Sequence, residues 1–374
     1  MKTHADRKRI IEDFIRLTGI DSVSYHERRM ADALKEELQK LGFEVTEDDA
    51  GDHYSSEAGN IYGLLRGKTG KAPILLSAHM DTVQPGTDKS AEVSQDGIIT
   101  GNGRAVLGAD DVCGIVEILE AVRIIQEQGV EHRSIEVLFT VAEEVYGQGA
   151  KVFDFSRVIS EDAYVFDMSG PAGAAARKAP SIISFKATLK GRAAHAGFAP
   201  QNGINAIAAA ASAVSRIKQG RISENMTLNI GTISGGKADN IVSGECLCTG
   251  EARGFDHEEA LREVQNVGRI FREEAERAGA ELEFDYDVKI RAYEVSEDER
   301  VCRRFRNACR RTGLEGELKF THGGSDNNIF MEKGMTGIVV SCGMYNTHST
   351  AEYASVKDME DTAELIAALI SDDE

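Results

Sequence analysis

The chain has 374 residues, of which 41% are hydrophobic and 28% charged, and its 43 Lys and Arg against 62 Asp and Glu leave a formal net charge of −19. That length exceeds one ordinary core and points to two domains, while the composition is that of a globular chain rather than a disordered one. A surface this acidic repels nucleic acid and anionic membranes, so neither is expected as a partner.

The opening stretch, MKTHADRKRIIEDFIRL, is charged, has a helical period and lacks the apolar centre of a signal peptide. No apolar run is long enough to span a bilayer, and a cytoplasmic location is expected. The six cysteines, Cys113, Cys246, Cys248, Cys302, Cys309 and Cys342, form no CxxC pair, which suits reduced thiols. Basic clusters at HERR near His26 and CRRFRNACRR near Cys302 read as solvated faces of amphipathic helices, and Cys246 and Cys248 as packing residues on one strand face.

Up to about Asp167 helix and strand alternate, as in an α/β sheet layered with helices. Helices are expected from His4 to Leu17, Tyr25 to Leu41 and Val112 to Glu127. The strand-like runs are FEVTED, NIYGLLRG, APILLSAHM, SIEVLFTVA and AYVFDMS. The small-residue stretch Ser169 to Pro180 reads as a linker. Beyond it the order strand, helix, strand, strand, helix, strand describes a compact split βαβ unit of the ferredoxin-like type. After Glu294 the alternation returns and ends in a helix from Lys357 to Ile370. The expected division is therefore a discontinuous domain, residues 1–178 and 294–374, with an inserted domain at 179–293.

Acidic and imidazole groups collect at strand ends: His79 and Asp81 in SAHMDTV, Asp110 in GADDVCG, Glu143 and Glu144 in VAEEVYGQGA, Asp167 in VFDMSG and His348 in YNTHSTAEY. Open α/β sheets keep their sites at such positions. Carboxylates and imidazoles without thiolate suit two zinc-like ions side by side, with positions left for water and substrate. His79 and Asp81, two residues apart, would share a face of an extended strand. Glu143 and Glu144, being consecutive, should diverge rather than share one ligand position.

The segments SAHMDTV, GADD, AEE, VFD and NTHST stand in the order and context of the M20 metallopeptidases, and the chain most resembles the tripeptidase T-like branch over nearly its whole length. The resemblance implies a zinc-exopeptidase-like mixed sheet sandwiched by helices, with the inserted α+β ferredoxin-like domain serving as lid and dimerisation domain. It implies two Zn2+ per subunit, with Co2+ or Mn2+ also acceptable to these ligands. His79 and Asp167 would hold one ion, Glu144 and His348 the other, and Asp110 would bridge them. Asp111 would follow a cis peptide bond, Asp81 would orient the His79 ring, and Glu143 would be the general base.

In the inserted domain, His195 in GRAAHAG matches a histidine that in relatives reaches across a dimer interface to stabilise the oxyanion. Asn240 in ADNIVSGE and Arg253 in GEARGFD match lid positions, and Arg253 suits capture of a substrate carboxylate. Gly323 and Gly324 in THGGSDNNIF would let backbone amides approach substrate; the same segment, with His322, reads equally as a turn and a helix cap at Ser325. Val112 stands where many relatives carry Lys, a departure that bears on substrate preference rather than on the metal site. GNGRAVLG has the wrong spacing for a dinucleotide-binding loop and reads as a turn.

The activity implied is release of the amino-terminal residue from short peptides, tripeptides above all, by a homodimer joined through the inserted domain. Two rivals stand beside it. One is an amidase, deacylase, carboxypeptidase or dipeptidase of the same metal chemistry; the other is a metal-containing binding protein without turnover.

Overall fold

The computed structural model describes residues 4–371. In chain order its principal elements are α1 (Arg7–Thr18), α2 (Arg28–Lys40), β1 (Glu44–Glu47), β2 (Ile61–Leu65), β3 (Ile74–His79), α3 (Ala109–Glu127), β4 (Ile135–Thr140), β5 (Asp162–Met168) and β6 (Ala174–Ala179). There follow β7 (Ser181–Lys190), α4 (Ala206–Arg216), β8 (Met226–Gly235), β9 (Glu245–Gly254), α5 (His257–Ala278) and β10 (Glu281–Ile290). The chain closes with α6 (Arg300–Thr312), β11 (Glu317–Phe320), α7 (Asp326–Glu332), β12 (Thr336–Ser341) and α8 (Val356–Ile370). It divides into two compact units: Ala179–Tyr293 with His322–Gly324 forms one, and the described residues on either side form the other.

The larger unit is built on a mixed sheet in the order β1-β2-β4-β3-β5-β12-β6, with β11 beside β6. Strands β4, β3, β5 and β12 are mutually parallel, so their carboxyl ends share one edge of the sheet. Each is a short apolar run that is buried along most of its length, as a sheet covered on both faces requires. One face packs Leu75, Leu138, Val165 and Val339 against Ile329 and Phe330 of α7. On the other lies α3, whose residues from Ala109 to Val122 are all buried.

Local chemistry sets the helix ends. Asp6 accepts from Lys8 N and Arg9 N, which starts α1 three residues later than the periodicity from His4 suggests. The expected linker, Ser169 to Pro180, instead contains β6, antiparallel to β12 and parallel to β11. Ala174, Ala175 and Ala176 are buried there. Short side chains fit a strand crowded by neighbours, and they make it look like a linker in sequence. The basic run near Cys302 is not wholly solvated either: Arg304 is 0% exposed and donates to Asp162, as does Arg300.

In the smaller unit β10-β7-β9-β8 form an antiparallel sheet, with the short strand Gly220–Ser223 on the edge of β8. That order, with α4 and α5 both packed on one face, is the ferredoxin-like arrangement. Strand β7 shows its cause: Ile183, Phe185, Ala187 and Leu189 alternate into the core. All six cysteines are free and buried, and Cys246 and Cys248 lie in this core. Among the described residues no helix is long and apolar enough to cross a membrane.

Candidate metal centre and active site

Each parallel strand of the larger unit delivers part of the site from its carboxyl end. β3 ends on His79, β5 carries Asp167, β4 leads into Glu143 and Glu144, and β12 leads into the turn that carries His348. Asp110 arrives at the start of α3, where Asp110 and Asp111 have non-helical dihedrals and are joined by a cis peptide bond.

These side chains converge. Asp110 Oδ1 is 2.9 Å from His79 Nε2, and its Oδ2 is 3.3 Å from His348 Nε2. Glu144 Oε2 is 2.9 Å from His348 Nε2, and Asp167 Oδ1 is 3.8 Å from His79 Nε2. Donor atoms of His79, Asp110 and Glu144 lie within 4.8 Å of one another, as do those of His79, Asp111 and Asp167. Asp111 Oδ2 also accepts the His79 backbone N–H at 3.1 Å, which ties the strand end to the start of α3.

Asp81 lies just past the end of β3 rather than within it. The His79 Nδ1 atom is 2.9 Å from the Asp81 backbone oxygen and 3.4 Å from its carboxylate. The carboxylate is engaged elsewhere, accepting from Ser24 Oγ at 2.7 Å, Glu143 N at 2.9 Å and Glu144 N at 3.2 Å. Asp81 therefore holds both the His79 ring and the turn that bears the paired glutamates.

The electrostatics are those of acids crowded together out of water. Among these side chains, burial and then the neighbouring Asp167 push Glu143 well above its usual range. Burial also raises Asp167, Asp111 and Glu144. For Asp110 burial acts upward too, but the bonds from His348 and His79 hold it down. Asp110 and Glu144 in turn push His348 up to about 11. Glu144 Oε1 is buried without a hydrogen-bond partner. Such a set of oxygen and imidazole donors fits divalent cations, which relieve the repulsion and satisfy the orphaned oxygen.

Further groups that sequence reasoning passed over support this centre. Glu352 accepts from Gly108 N at 2.8 Å and Asp110 N at 2.9 Å, fixing the turn that presents Asp110. Glu27 accepts from Ala142 N at 3.1 Å and Asn60 Oδ1 from Val141 N at 3.1 Å. Asp326 accepts from Thr140 Oγ1 at 2.5 Å. All four act on backbone or on one distant side chain, so spacing in the sequence carries no signal of them.

The remaining predicted residues lie in the smaller unit. His195 is exposed, and its Nδ1 accepts from Gly197 N at 3.1 Å and Phe198 N at 3.2 Å, which leaves Nε2 to carry the proton. Asn240 is placed beside it, its carbonyl accepting from Ala196 N at 2.9 Å. Arg253 bonds Glu251 Oε1 at 2.7 Å and the His322 carbonyl at 3.0 Å, next to Gly323 and Gly324. A Cβ at Gly324 would lie 2.0 Å from Ile290 Cδ1, so a larger residue there would require the end of the Ile290 side chain to move.

A helix-flanked mixed sheet with carboxylates and imidazoles gathered at the ends of its parallel strands defines a metal-dependent hydrolase. The model of peptidase family M20/M25/M40 matches residues 75–372, and the chain belongs to that family of peptide hydrolases. The chain is similar to the uncharacterized protein YqjE of Bacillus subtilis, 33% identical over 98% of this chain and 99% of that one. The solved aminopeptidase PepT of Bacillus cereus superposes with a TM-score of 0.91 at 32% identity, covering 98% of both chains. A solved tripeptidase of Staphylococcus aureus gives 0.95 at 31% identity, again over 98% of both.

Proposed function

We propose that this protein is an aminotripeptidase that uses two zinc ions to release the first residue of short peptides. The observation that carries the reading is the placement of Asp110, one carboxylate oxygen toward each of two histidines. His79 and Asp167 would hold one ion, Glu144 and His348 the other, with Asp110 as the shared ligand. When bound, such ions polarise the scissile carbonyl and lower the pKa of a water molecule, to ~7 in the best mononuclear zinc sites.

Glu143 then takes a proton from the attacking water and passes it to the leaving amine. Asp81 keeps the base and its ligand neighbour in place through their backbone N–H groups. His195, its proton directed to Nε2, would donate to the developing oxyanion from the partner subunit. Asn240, Arg253 and the amides of Gly323 and Gly324 would bind the peptide, with Arg253 suited to its terminal carboxylate.

The open edge of the ferredoxin-like unit supports dimerisation through it. The short strand Gly220–Ser223 pairs with β8 only as far as Leu228. Beyond it β8 continues to Gly235 with Ile233 51% exposed, an edge that a second copy could extend.

The test is product analysis by mass spectrometry after the zinc-loaded protein meets free dipeptides, tripeptides, longer peptides and their N-acetylated forms. Release of the first residue from free tripeptides, abolished by chelation, is the expected result. Cleavage confined to blocked or two-residue substrates would move the protein to the deacylase or dipeptidase reading. No turnover would favour a binding role.

A further inference from the structure

The turn from Val141 to Gly149 presents both glutamates of the centre, and the backbone groups at its start show what holds it. On the acceptor side, Val141 O receives Gly149 N at 3.1 Å, Ala142 O receives Gln148 N at 3.0 Å and Glu143 O receives Gly147 N at 2.7 Å. On the donor side no strand partner is used. The four N–H groups from Val141 to Glu144 go to side chains: Asn60 Oδ1, Glu27 Oε1, Asp81 Oδ1 and Asp81 Oδ2. The turn closes on itself through its carbonyls and is held from outside through its amides.

Two of those holders lie far from the ligands in sequence and are wholly buried, Glu27 and Asn60. Ala142 has a φ of +53°, a conformation disfavoured for a residue with a side chain, and it is the residue whose N–H Glu27 takes. Glu27 is itself anchored, by Tyr25 N at 2.9 Å and Ser56 Oγ at 2.9 Å. Asn60 has its amide orientation set: Nδ2 donates to Asp48 Oδ2 at 2.7 Å and to Gly149 O at 3.0 Å, so its oxygen is the atom that meets Val141. It thus ties the entry of the turn to its exit.

We propose that Glu27 and Asn60 are positioning residues for the Glu143 and Glu144 pair, acting through the backbone of Val141 and Ala142 to aim one carboxylate at the reacting water and the other at the metal. The inference rests on the roles given to Glu143 and Glu144 above. Losing either holder leaves a buried N–H unpaired and frees a turn that would otherwise not adopt this shape. Misplacing a catalytic group by 1 Å costs ~100-fold in rate, and loss of a group that orients metal ligands costs ~10- to 100-fold in affinity or activity.

The experiment compares wild type with Glu27→Met, Asn60→Leu and Glu27→Gln. It reads kcat and KM on a free tripeptide, zinc affinity by competition with a chelator, and melting temperature. Glu27→Met and Asn60→Leu should each lower kcat ~10- to 100-fold with KM within about threefold, and weaken zinc binding by a similar factor. Glu27→Gln, which keeps Oε1 for Ala142 N and lets the Ser56 hydroxyl accept, should return both to within about threefold of wild type.

A fall in melting temperature with unchanged kcat and zinc affinity would make the two residues structural only and overturn the proposal. So would a Glu27→Gln variant as impaired as Glu27→Met. Should Glu27→Met or Asn60→Leu not fold, Glu27→Asp, whose carboxylate stops one methylene short of Ala142, is judged by the same readouts. Should wild type cleave no tripeptide, the reading of function fails, and zinc competition still decides: weakened binding in the variants supports the positioning role, and unchanged binding overturns it.

Discussion

The Asp81 carboxylate accepts the Glu143 backbone N–H at 2.9 Å, joining the end of β3 to the turn beyond β4. Asp81→Asn keeps one acceptor oxygen but turns an NH2 group toward a backbone donor. Activity should fall ~10- to 100-fold while the protein still takes up zinc, as expected for a group that orients its neighbours. Steady-state rates beside metal analysis of the purified variant check this.

Glu143 has no place in the proposed ligand set and should be separable from metal binding. Glu143→Gln is expected to lower kcat by ~100- to 10,000-fold, the range for a lost general base. Zinc content should stay at the wild-type value. Unchanged hydrolysis would remove Glu143 from the mechanism.

His348 reaches both Asp110 and Glu144, and its ring is the imidazole proposed for the second ion. His348→Ala should bind one zinc tightly and the other poorly, with the loss seen by calorimetric titration. Chelation of wild type should lower its melting temperature, because a ligand bound only by the folded state stabilises it.

Glu47, away from the centre, supplies a pH dependence. Burial acts to raise its pKa, but bonds from Arg28, Lys35 and Gly59 N prevail and hold it at about 2, against 4.5 for an ordinary glutamate. With the folded value depressed, the stabilisation is present above about pH 4.5 and is lost as pH falls toward 2. Glu47→Gln should therefore be less stable than wild type at pH 7 and nearly equal to it at pH 2, as read from urea midpoints.

Ile233 on the open edge of β8 is the residue to change to test the proposed dimer. Ile233→Lys places a charge where a second strand would pair, and sedimentation should show monomers where wild type shows dimers. A monomeric wild type with full activity would also remove His195 from its proposed role across the interface.

Much of the centre was legible because its donors sit at the ends of apolar runs. A polar residue that closes a run such as Ile74 to Ala78 is conspicuous, and parallel strands bring such ends to one edge. The strand β6 was not legible, since three alanines and flanking glycine and proline are what a linker also looks like. Arg304 was misread for a related reason: a helix face rich in arginine looks solvated until Asp162 is found opposite it.

The amino-acid sequence by itself determined the alternation of elements, the split βαβ unit and the donor types at the strand ends, because periodicity and composition are local properties. Only the tertiary structure decided that Asp81 holds the paired glutamates, that Glu352 fixes the turn before Asp110, and that Glu27 and Asn60 brace the turn at Val141 and Ala142. These are bonds from side chains to backbone amides 62, 242, 115 and 81 residues away, and a backbone amide is the same group at every non-proline position. Nothing in residue identity announces which amide will need a partner until the chain has folded around it.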